Sequence, residues 1–354
     1  MPKTALSEPW KNRPASPDHY PIMIVGEAWG QQEETSGKPF DGPTGSILFG
    51  LLRQAGIDKR DCYFTNVFNL KPPGNKIEGL CGPKSEALPN FRAIAPGKFI
   101  HRKYAPEIER LSEEISRARP NVIVACGNTA LWALTKKVGI KRYRGSPLPT
   151  YDTNYKVIPT WAPSSIARQW ELRPIVLSDL VKARRESTFP EIRRPVRYIY
   201  MEPSIEDIDR FFAEKIDPCP FISCDIETKM ETITEVGIGT HDGKHAIVIP
   251  FYWRASVDGN YWPDIETEAA AWDRIARVLR EKPVVGQNFA YDMKYFWQTM
   301  GITCSKFLGD TMIQQHSLQP EMEKGLGFLG SIYTNEPSWK FMRADHSTLK
   351  AGDD

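Results

Sequence analysis

The first half of the sequence alternates short apolar runs with segments of helical spacing, and this alternation limits the chain to a few folds. The apolar runs are residues 22–26, 62–68, 122–126 and 157–160. The segments of helical spacing between them are residues 46–54, 108–118 and 129–135. Strands that alternate with helices predict a parallel sheet covered by helices, which is an α/β fold.

The second half has a different order of elements. Its first three apolar strands are residues 221–228, 234–240 and 245–251. The last two are joined by His241-Asp242-Gly243-Lys244, and Asp-Gly is a strong hairpin signal. A helix at 265–281, a strand at 284–286, a helix at 290–300 and a strand at 307–309 follow. This element order is typical of a ribonuclease-H-like fold.

The two halves are separated by a charged stretch that contains prolines and several arginines, Ser187 to Tyr198. A chain of 354 residues is long enough for two cores. We therefore predict a first domain over residues 1–187, a linker over 188–198 and a second domain over 199–354. Residues 70–105, rich in Pro, Gly and Lys, are interpreted as a long surface excursion.

Net charge, cysteine content and the length of apolar runs indicate in which compartment the protein works. The net charge of +2 averages over both halves and neither favours nor excludes nucleic acid. Six cysteines without a CxxC pair fit the reducing cytosol. No apolar run approaches the roughly 20 residues that a spanning helix needs. We expect a soluble cytoplasmic protein, in the host cytoplasm if it is phage-encoded, with no membrane partner.

Four polar residues of the second half suit a site for hard cations. Asp225 and Glu227 are two apart at the end of a strand, so both carboxylates face one side of the sheet. Asn288 and Asp292 are four apart where a strand gives way to a helix, and we expect them on one helix face. Phosphodiester cleavage with two Mg²⁺-type ions needs such carboxylates. Solvated surface carboxylates are the alternative.

These segments resemble the DEDD 3′–5′ exonucleases, and Asp310-Thr311-Met312 resembles the next segment in proofreading domains of family-A DNA polymerases. The resemblance implies single-stranded 3′ ends of DNA as substrate and Mg²⁺ or Mn²⁺ as cofactor. The implied catalytic and metal-binding residues are Asp225, Glu227 and Asp292, and Asn288 would contact the substrate. A helix N-cap is the alternative role for Asp310.

The third motif of that family has no counterpart after Asp310. It supplies a last aspartate preceded at four or five residues by Tyr or His, whereas His346 is followed at that spacing by Ala351, and Asp353 is out of step. We expect an incomplete exonuclease site, with truncation of the domain as one explanation, and a DNA polymerase domain or subunit as partner, as in phage-like replication proteins.

The strand at 22–26 runs into Glu27-Ala28-Trp29-Gly30, the kind of turn where α/β sheets place their sites. The segments 37–45, 65–67, 71–75, 122–130 and Arg144-Gly145 follow in order. Together they resemble the family-4 uracil-DNA glycosylases over about 160 residues. The resemblance implies a parallel-sheet glycosylase domain that binds uracil-containing DNA.

The resemblance also implies roles for three residues, each with a structural alternative. Phe40 would stack on an extruded base, or be a core residue beside Pro39. Asn66 would read the uracil edge, since an amide both donates and accepts, or cap a strand end. Glu27 would position water and offset positive charge on the sugar, or interact with a helix N-terminus.

The chain departs from that family at several positions. Ala162-Pro163 stands where the family has His-Pro. The predicted substrate-binding residue Ala162 therefore lacks the imidazole that would interact with the departing base. Trp29 replaces a proline and Asp41 an apolar residue. No cysteine precedes Cys62, so we expect no iron–sulfur cluster.

Two functions remain open at this point. The first is a replication or repair enzyme that combines uracil recognition or excision with exonuclease activity. The alternative is a catalytically weak module that binds DNA, senses uracil or tethers a polymerase. The candidates for phosphate and base contacts, or for a solvated basic face, are Arg168, Trp170, Arg173, Lys98, Arg102 and Lys103.

Overall fold

The computed structural model describes residues 19–336, which divide into two units. The first unit comprises the described residues up to Arg194 together with those from Gly327 onward, and the second runs from Pro195 to Leu326. Each unit has its own sheet and its own buried core.

The first unit is built on a main sheet of five short strands and a separate ribbon of two. The strands are β1 (Ile22–Ala28), β2 (Cys62–Phe68), β3 (Cys81–Gly82), β4 (Phe99–Ile100), β5 (Val122–Cys126), β6 (Leu148–Pro149) and β7 (Lys156–Thr160). The helices are α1 (Gln31–Ser36), α2 (Pro43–Gln54), α3 (Ala105–Ala118), α4 (Asn128–Thr135), α5 (Ile140–Tyr143), α6 (Pro163–Arg168) and α7 (Arg173–Glu186).

The main sheet of this unit has the order β2-β1-β5-β7-β6, and its first four strands are parallel. Successive residues of β1 enter different apolar clusters: Met23 packs with side chains of α3 and α4, and Ile24 with those of α2 and α7. Both faces of the sheet are therefore covered, which explains the continuous apolar runs. The predicted parallel α/β fold is confirmed.

The excursion at 70–105 is not confined to the surface. It contains the two-stranded ribbon of β3 and β4 and several 3₁₀ turns. Leu80, Leu88, Ile94 and Ile100 are buried in the same cluster as the β1 residue Val25. The apolar residues among the prolines and glycines thus add to the core of the first unit.

Part of the predicted linker also belongs to the first unit. The buried Lys156 ammonium donates to the Glu186 carboxylate at 3.1 Å and to the carbonyl oxygens of Phe189 at 2.7 Å and Glu191 at 2.9 Å. A buried cation needs such acceptors, which fixes this stretch of chain. The boundary between the units falls at Arg194, inside the predicted linker of 188–198.

Residues 327–336 belong to the first unit, which differs from the predicted second domain of 199–354. The Lys182 ammonium donates to the carbonyl oxygens of Gly145 and Thr334, both at 2.7 Å, and also to that of Ser331. Arg144, paired with Asp179, donates to the Ser331 hydroxyl at 2.7 Å. Carbonyl groups at a helix C-terminus lack hydrogen-bond partners within the helix, and the Lys182 ammonium supplies the missing donor.

The second unit contains the remaining elements, apart from the last helix of the chain, which belongs to the first unit from Gly327 onward. Its strands are β8 (Tyr198–Tyr200), β9 (Ile222–Lys229), β10 (Thr232–Thr240), β11 (His245–Pro250), β12 (Val284–Gly286) and β13 (Phe307–Asp310). The helices that follow the first unit's are α8 (Ile205–Phe211), continued by a π-helical turn (Phe212–Ile216), then α9 (Ile265–Glu281), α10 (Phe289–Met300), α11 (Thr311–Leu318) and α12 (Leu326–Tyr333).

The sheet of the second unit has the order β13-β12-β9-β10-β11-β8. β10 is antiparallel to both β9 and β11, whereas β12 and β13 continue parallel to β9. This is the strand order of a ribonuclease-H-like fold, so that prediction is confirmed. The edge strand β8 was not predicted, since it is short, begins within the predicted linker and is exposed along its length.

No helix within residues 19–336 is both long and apolar enough to cross a membrane.

Replacing Lys182 with Met should destabilise the first unit, because two buried carbonyl groups and a half-buried one lose their donor. Each such loss costs about 1–3 kcal/mol, so we expect a total of at least about 3 kcal/mol. Hydrogen exchange of first-unit amides in the full chain measures the effect. Lys84→Met, at an exposed position, is the matched control, and an equal effect of the two changes would contradict the assignment.

Candidate active sites

A cleft of about 490 Å³ opens in the first unit, and it brings together the predicted residues Glu27, Phe40, Asn66 and Ala162. The cleft follows the carboxyl ends of the parallel strands. Gly26 pairs with Asn66 between β1 and β2, and Cys126 pairs with Thr160 between β5 and β7. Residues from four sequence segments thereby meet at one edge of the sheet.

Phe40 and Asn66 meet over Gly26, and only glycine leaves room for them. A Cβ on Gly26 would lie 2.1 Å from the Asn66 Oδ1 atom and 2.8 Å from the Phe40 Cζ atom. Phe40 has a φ of 57°, rare for a bulky residue, and its ring packs edge-on against Phe64 at 6.0 Å between centroids. A Cβ on Gly45 would lie 1.8 Å from the Phe40 carbonyl oxygen. The first turn of α2 can therefore pack this closely on the Phe40 backbone only because residue 45 is glycine.

The backbone around Asn66 is held by Arg110, a residue outside the predicted site. Its guanidinium donates to the carbonyl oxygens of Asn66 at 2.8 Å and Val67 at 3.0 Å. Glu107 and Glu114, one turn to either side on α3, neutralise its charge. An arginine flanked by two glutamates among the apolar residues of α3 was the available signal. The Asn66 side chain itself has no hydrogen-bond partner among the described residues.

Glu27 opens onto the cleft at the end of β1 and accepts a hydrogen bond from the Thr129 hydroxyl at the start of α4. Desolvation by the surrounding protein raises the pKa of this carboxyl. The Thr129 bond and the Arg168 guanidinium oppose that rise. Thr129 was missed because its link to Glu27 joins distant parts of the sequence.

Ala162 precedes α6 as its N-cap residue and lies in the wall of the same cleft. Its methyl group packs closely on Gly127, where a Cβ would come within 3.0 Å. Ala162 has no group that could donate a proton or hydrogen bond to a ligand. Trp29 also lines the cleft, and its indole N–H is buried without a partner in the described chain.

In the second unit, β9 presents Asp225 and Glu227 on one side and buries Cys224 and Ile226 on the other. The predicted alternation is therefore present. Glu235 of β10 stands directly opposite Glu227 in the antiparallel pair, so a third carboxylate shares this face. Glu235 was not predicted because its position depends on the pairing register.

Asp292 of α10 is buried, and its Oδ1 atom accepts the Ile226 backbone N–H at 2.9 Å. Burial raises the pKa of Asp292 to about 6, and the nearby Asp225 carboxylate adds to the rise. Asn288 precedes α10 as its N-cap residue with a φ of 57°. The prediction that Asn288 and Asp292 share a helix face is wrong, because Asn288 lies outside the helix.

Asp310 has a structural role. Its carboxylate accepts backbone N–H groups from Asn288 at 3.0 Å, Phe289 at 2.7 Å and Met312 at 2.8 Å. It thus caps α11 and also holds the start of α10 beside it. The N-cap alternative considered for Asp310 is therefore confirmed.

The acidic residues of the second unit do not assemble a metal site. Within residues 19–336, no group of three or more His, Cys, Asp or Glu side chains is arranged to hold a metal ion. One oxygen of Asp292 accepts the Ile226 backbone N–H, and the assignment of Asp225, Glu227 and Asp292 as metal ligands stays a prediction. His346, Ala351 and Asp353 lie outside the described residues.

The described cysteines are the residues to consider as ligands of an iron–sulfur cluster. Among the described cysteines, Cys62 and Cys126 are buried in the apolar layer beside the main sheet. Burial raises the pKa of Cys126 to about 12, which disfavours the thiolate that a metal requires. The absence of a cluster stays a prediction.

Comparison with known proteins identifies the first unit. A family model described as the uracil DNA glycosylase superfamily matches residues 14–185. The type-4 uracil-DNA glycosylase of Thermotoga maritima is 38% identical over 167 residues, which cover 46% of this chain and 76% of the relative. That of Saccharolobus solfataricus is 26% identical over 171 residues, covering 46% and 69%. The chain belongs to the uracil DNA glycosylase superfamily.

Similar solved structures are exonuclease and nuclease domains. The EXD2 exonuclease domain soaked in Mn and GMP has a TM-score of 0.26 and 13% identity, covering 44% of this chain and 79% of that one. The apo form of a nuclease has a TM-score of 0.29 and 15% identity, covering 46% and 71%. These likenesses are weak, and the fold of the second unit rests on its strand order.

Replacing Asp292 with Asn should stabilise the second unit at neutral pH. The raised pKa means that the folded state keeps its proton up to about pH 6, whereas an unfolded aspartate loses it near pH 4. Stability therefore falls as pH rises from about 4 to 6, by about 2–3 kcal/mol. The variant should escape this loss.

Denaturant titrations of the full chain at several pH values measure this profile, with a chelator present to remove metal ions. Hydrogen exchange of the β9 amides reports the unfolding of the second unit in these titrations. The exposed Asp273→Asn is the control and should keep the parent profile. A parent-like profile for Asp292→Asn would contradict the assigned burial.

Proposed function

We propose that the first unit binds uracil extruded from DNA and excises it slowly. One observation carries the proposal: Glu27, Phe40 and Asn66 line a single cleft, with the Phe40 ring beside the Asn66 amide. The type-4 uracil-DNA glycosylases among its relatives support DNA as the substrate.

The geometry suits a flat base that carries both donors and acceptors. The Phe40 ring offers a stacking surface, and the Asn66 amide can accept from one edge atom of uracil and donate to the next. Cytosine presents the opposite pattern at that edge. Gly26 leaves room for both side chains to lie side by side, and Gly45 leaves room for the Phe40 backbone.

Glu27 suits the attack of water on the sugar. Its raised pKa makes the carboxylate more basic and so better able to accept a proton from water. Its negative charge stabilises the positive charge that develops on C1′. Excision should still be slow, because Ala162 offers no donor to the departing base.

Replacing Ala162 with His should raise the rate of uracil excision by about 10²-fold, which is typical for one donor to developing negative charge. Ala162→Leu adds similar bulk without a proton and is the matched control. Excision of uracil from a labelled single strand under single-turnover conditions measures both, and Glu27→Gln should lower the rate in each background. Equal rates for the His and Leu variants would contradict the role of position 162.

For the second unit we infer a nucleic-acid function related to 3′–5′ exonucleases, completed by a partner of the polymerase type. The ribonuclease-H-like strand order and the carboxylates of Asp225, Glu227 and Glu235 on one face support this. A DNA-binding module without cleavage is the second candidate. It is favoured by the finding that the described residues form no group able to hold a metal.

The 354-residue chain alone should therefore bind Mn²⁺ weakly and digest single-stranded 3′ ends little. Any digestion should disappear in Asp225→Ala and persist in the control Asp273→Ala. Calorimetry with Mn²⁺ and gel assays with and without chelator measure the two properties. Robust Mg²⁺-dependent digestion that is lost in Asp225→Ala would mean that another residue completes the site.

The polymerase partner and the cytoplasmic location stay predictions from the sequence.

A further inference from the structure

Arg168 is the only Lys, Arg or His side chain among the described residues that line the cleft. It is the last residue of α6, the short helix that begins directly after Ala162. Its side chain is exposed, and its guanidinium has no hydrogen-bond or ion-pair partner within residues 19–336. A cation is thus left free at the wall of the cleft that carries Ala162.

The other polar groups on that side are poorer partners for an anion. The Asn128 amide is occupied, since it accepts the Gly139 N–H at 2.7 Å and donates to the Ile94 carbonyl at 3.4 Å. Ser164 and Ser165 offer neutral hydroxyls. A hydrogen bond from a charged donor is roughly twice as strong as one between neutral groups.

Cleavage of a nucleoside bond separates charge along a defined direction. As the C1′–N1 bond breaks, its electron pair goes to N1 of uracil, so the sugar becomes positive and the base negative. Glu27 supplies a negative charge in the cleft and Arg168 a positive one. The two are near enough that the Arg168 guanidinium opposes the rise in the pKa of Glu27. Such a pair favours the charge separation of the transition state over the ground state.

We propose that Arg168 is a catalytic residue of the first unit that contacts the departing uracil and stabilises its negative charge, in place of a donor at position 162. Water adds its oxygen to C1′ and passes a proton to Glu27. The departing uracil anion leaves with the electron pair of the broken bond and takes up a proton. This inference rests on the proposed glycosylase function.

The test compares two leaving groups in the full chain. 5-Fluorouracil is a better leaving group than uracil because fluorine stabilises its anion. Arg168→Ala should lower the single-turnover rate with uracil by about 10²-fold. The loss with 5-fluorouracil should be clearly smaller, and Arg168→Lys should recover part of the rate with both bases. Arg53→Ala, an exposed arginine outside the cleft, is the control.

A second arm uses the Ala162→His background. There the imidazole supplies a donor, so Arg168→Ala should cost much less than in the parent chain. The contrary result is that Arg168→Ala lowers the rates with uracil and 5-fluorouracil equally, through a rise in KM that depends on salt. That result would overturn the inference and assign Arg168 to a DNA phosphate. A parent chain that excises neither base would instead overturn the proposed function, and the role of Arg168 with it.

Discussion

The parallel pairing of β1 with β2 and β5 is the constraint on which the cleft depends. Because the strands run in the same direction, the residues after their last core positions meet at one edge, although they come from distant parts of the sequence. The register matters as much as the direction. A shift of one residue in β2 would turn the Asn66 amide to the opposite face of the sheet and leave Phe40 without its neighbour.

Buried cations hold the irregular backbone around this sheet. Arg110 binds carbonyls at the end of β2, Lys156 binds those of residues that lead away from α7, and Lys182 binds those at the end of α12. A desolvated cation is costly unless acceptors surround it, so each of these segments is fixed in one conformation. The first unit therefore uses lysine and arginine where a regular sheet or helix would use backbone pairing.

The sequence was most informative where local pattern decides the structure. Apolar runs located the parallel strands, and the Asp-Gly turn located the hairpin between β10 and β11, where Gly243 has a φ of 66°. Alternation along β9 correctly placed Asp225 and Glu227 on one face. These features depend on neighbours a few residues apart, which sequence spacing reflects directly.

Features that depend on distant contacts could not be derived in this way. The Thr129 bond to Glu27, the position of Glu235 opposite Glu227 and the return of residues 327–336 to the first unit all need the tertiary fold. The Asn288 error has a different origin. Spacing of four residues implies a shared helix face only if both residues are inside the helix, and the left-handed backbone at Asn288 places it just before the first turn.

Asp292 and Asp310 show how environment separates structural from functional carboxylates. Both are buried in the second unit, but Asp310 accepts three backbone N–H groups and Asp292 accepts that of Ile226, with the Asp225 carboxylate nearby. Three donors compensate the desolvation of Asp310, so this carboxylate needs no ligand. For Asp292 the compensation is incomplete, as its raised pKa shows. A cation placed between Asp292 and Asp225 would lower that cost, so the surroundings of Asp292, unlike those of Asp310, favour a positively charged ligand.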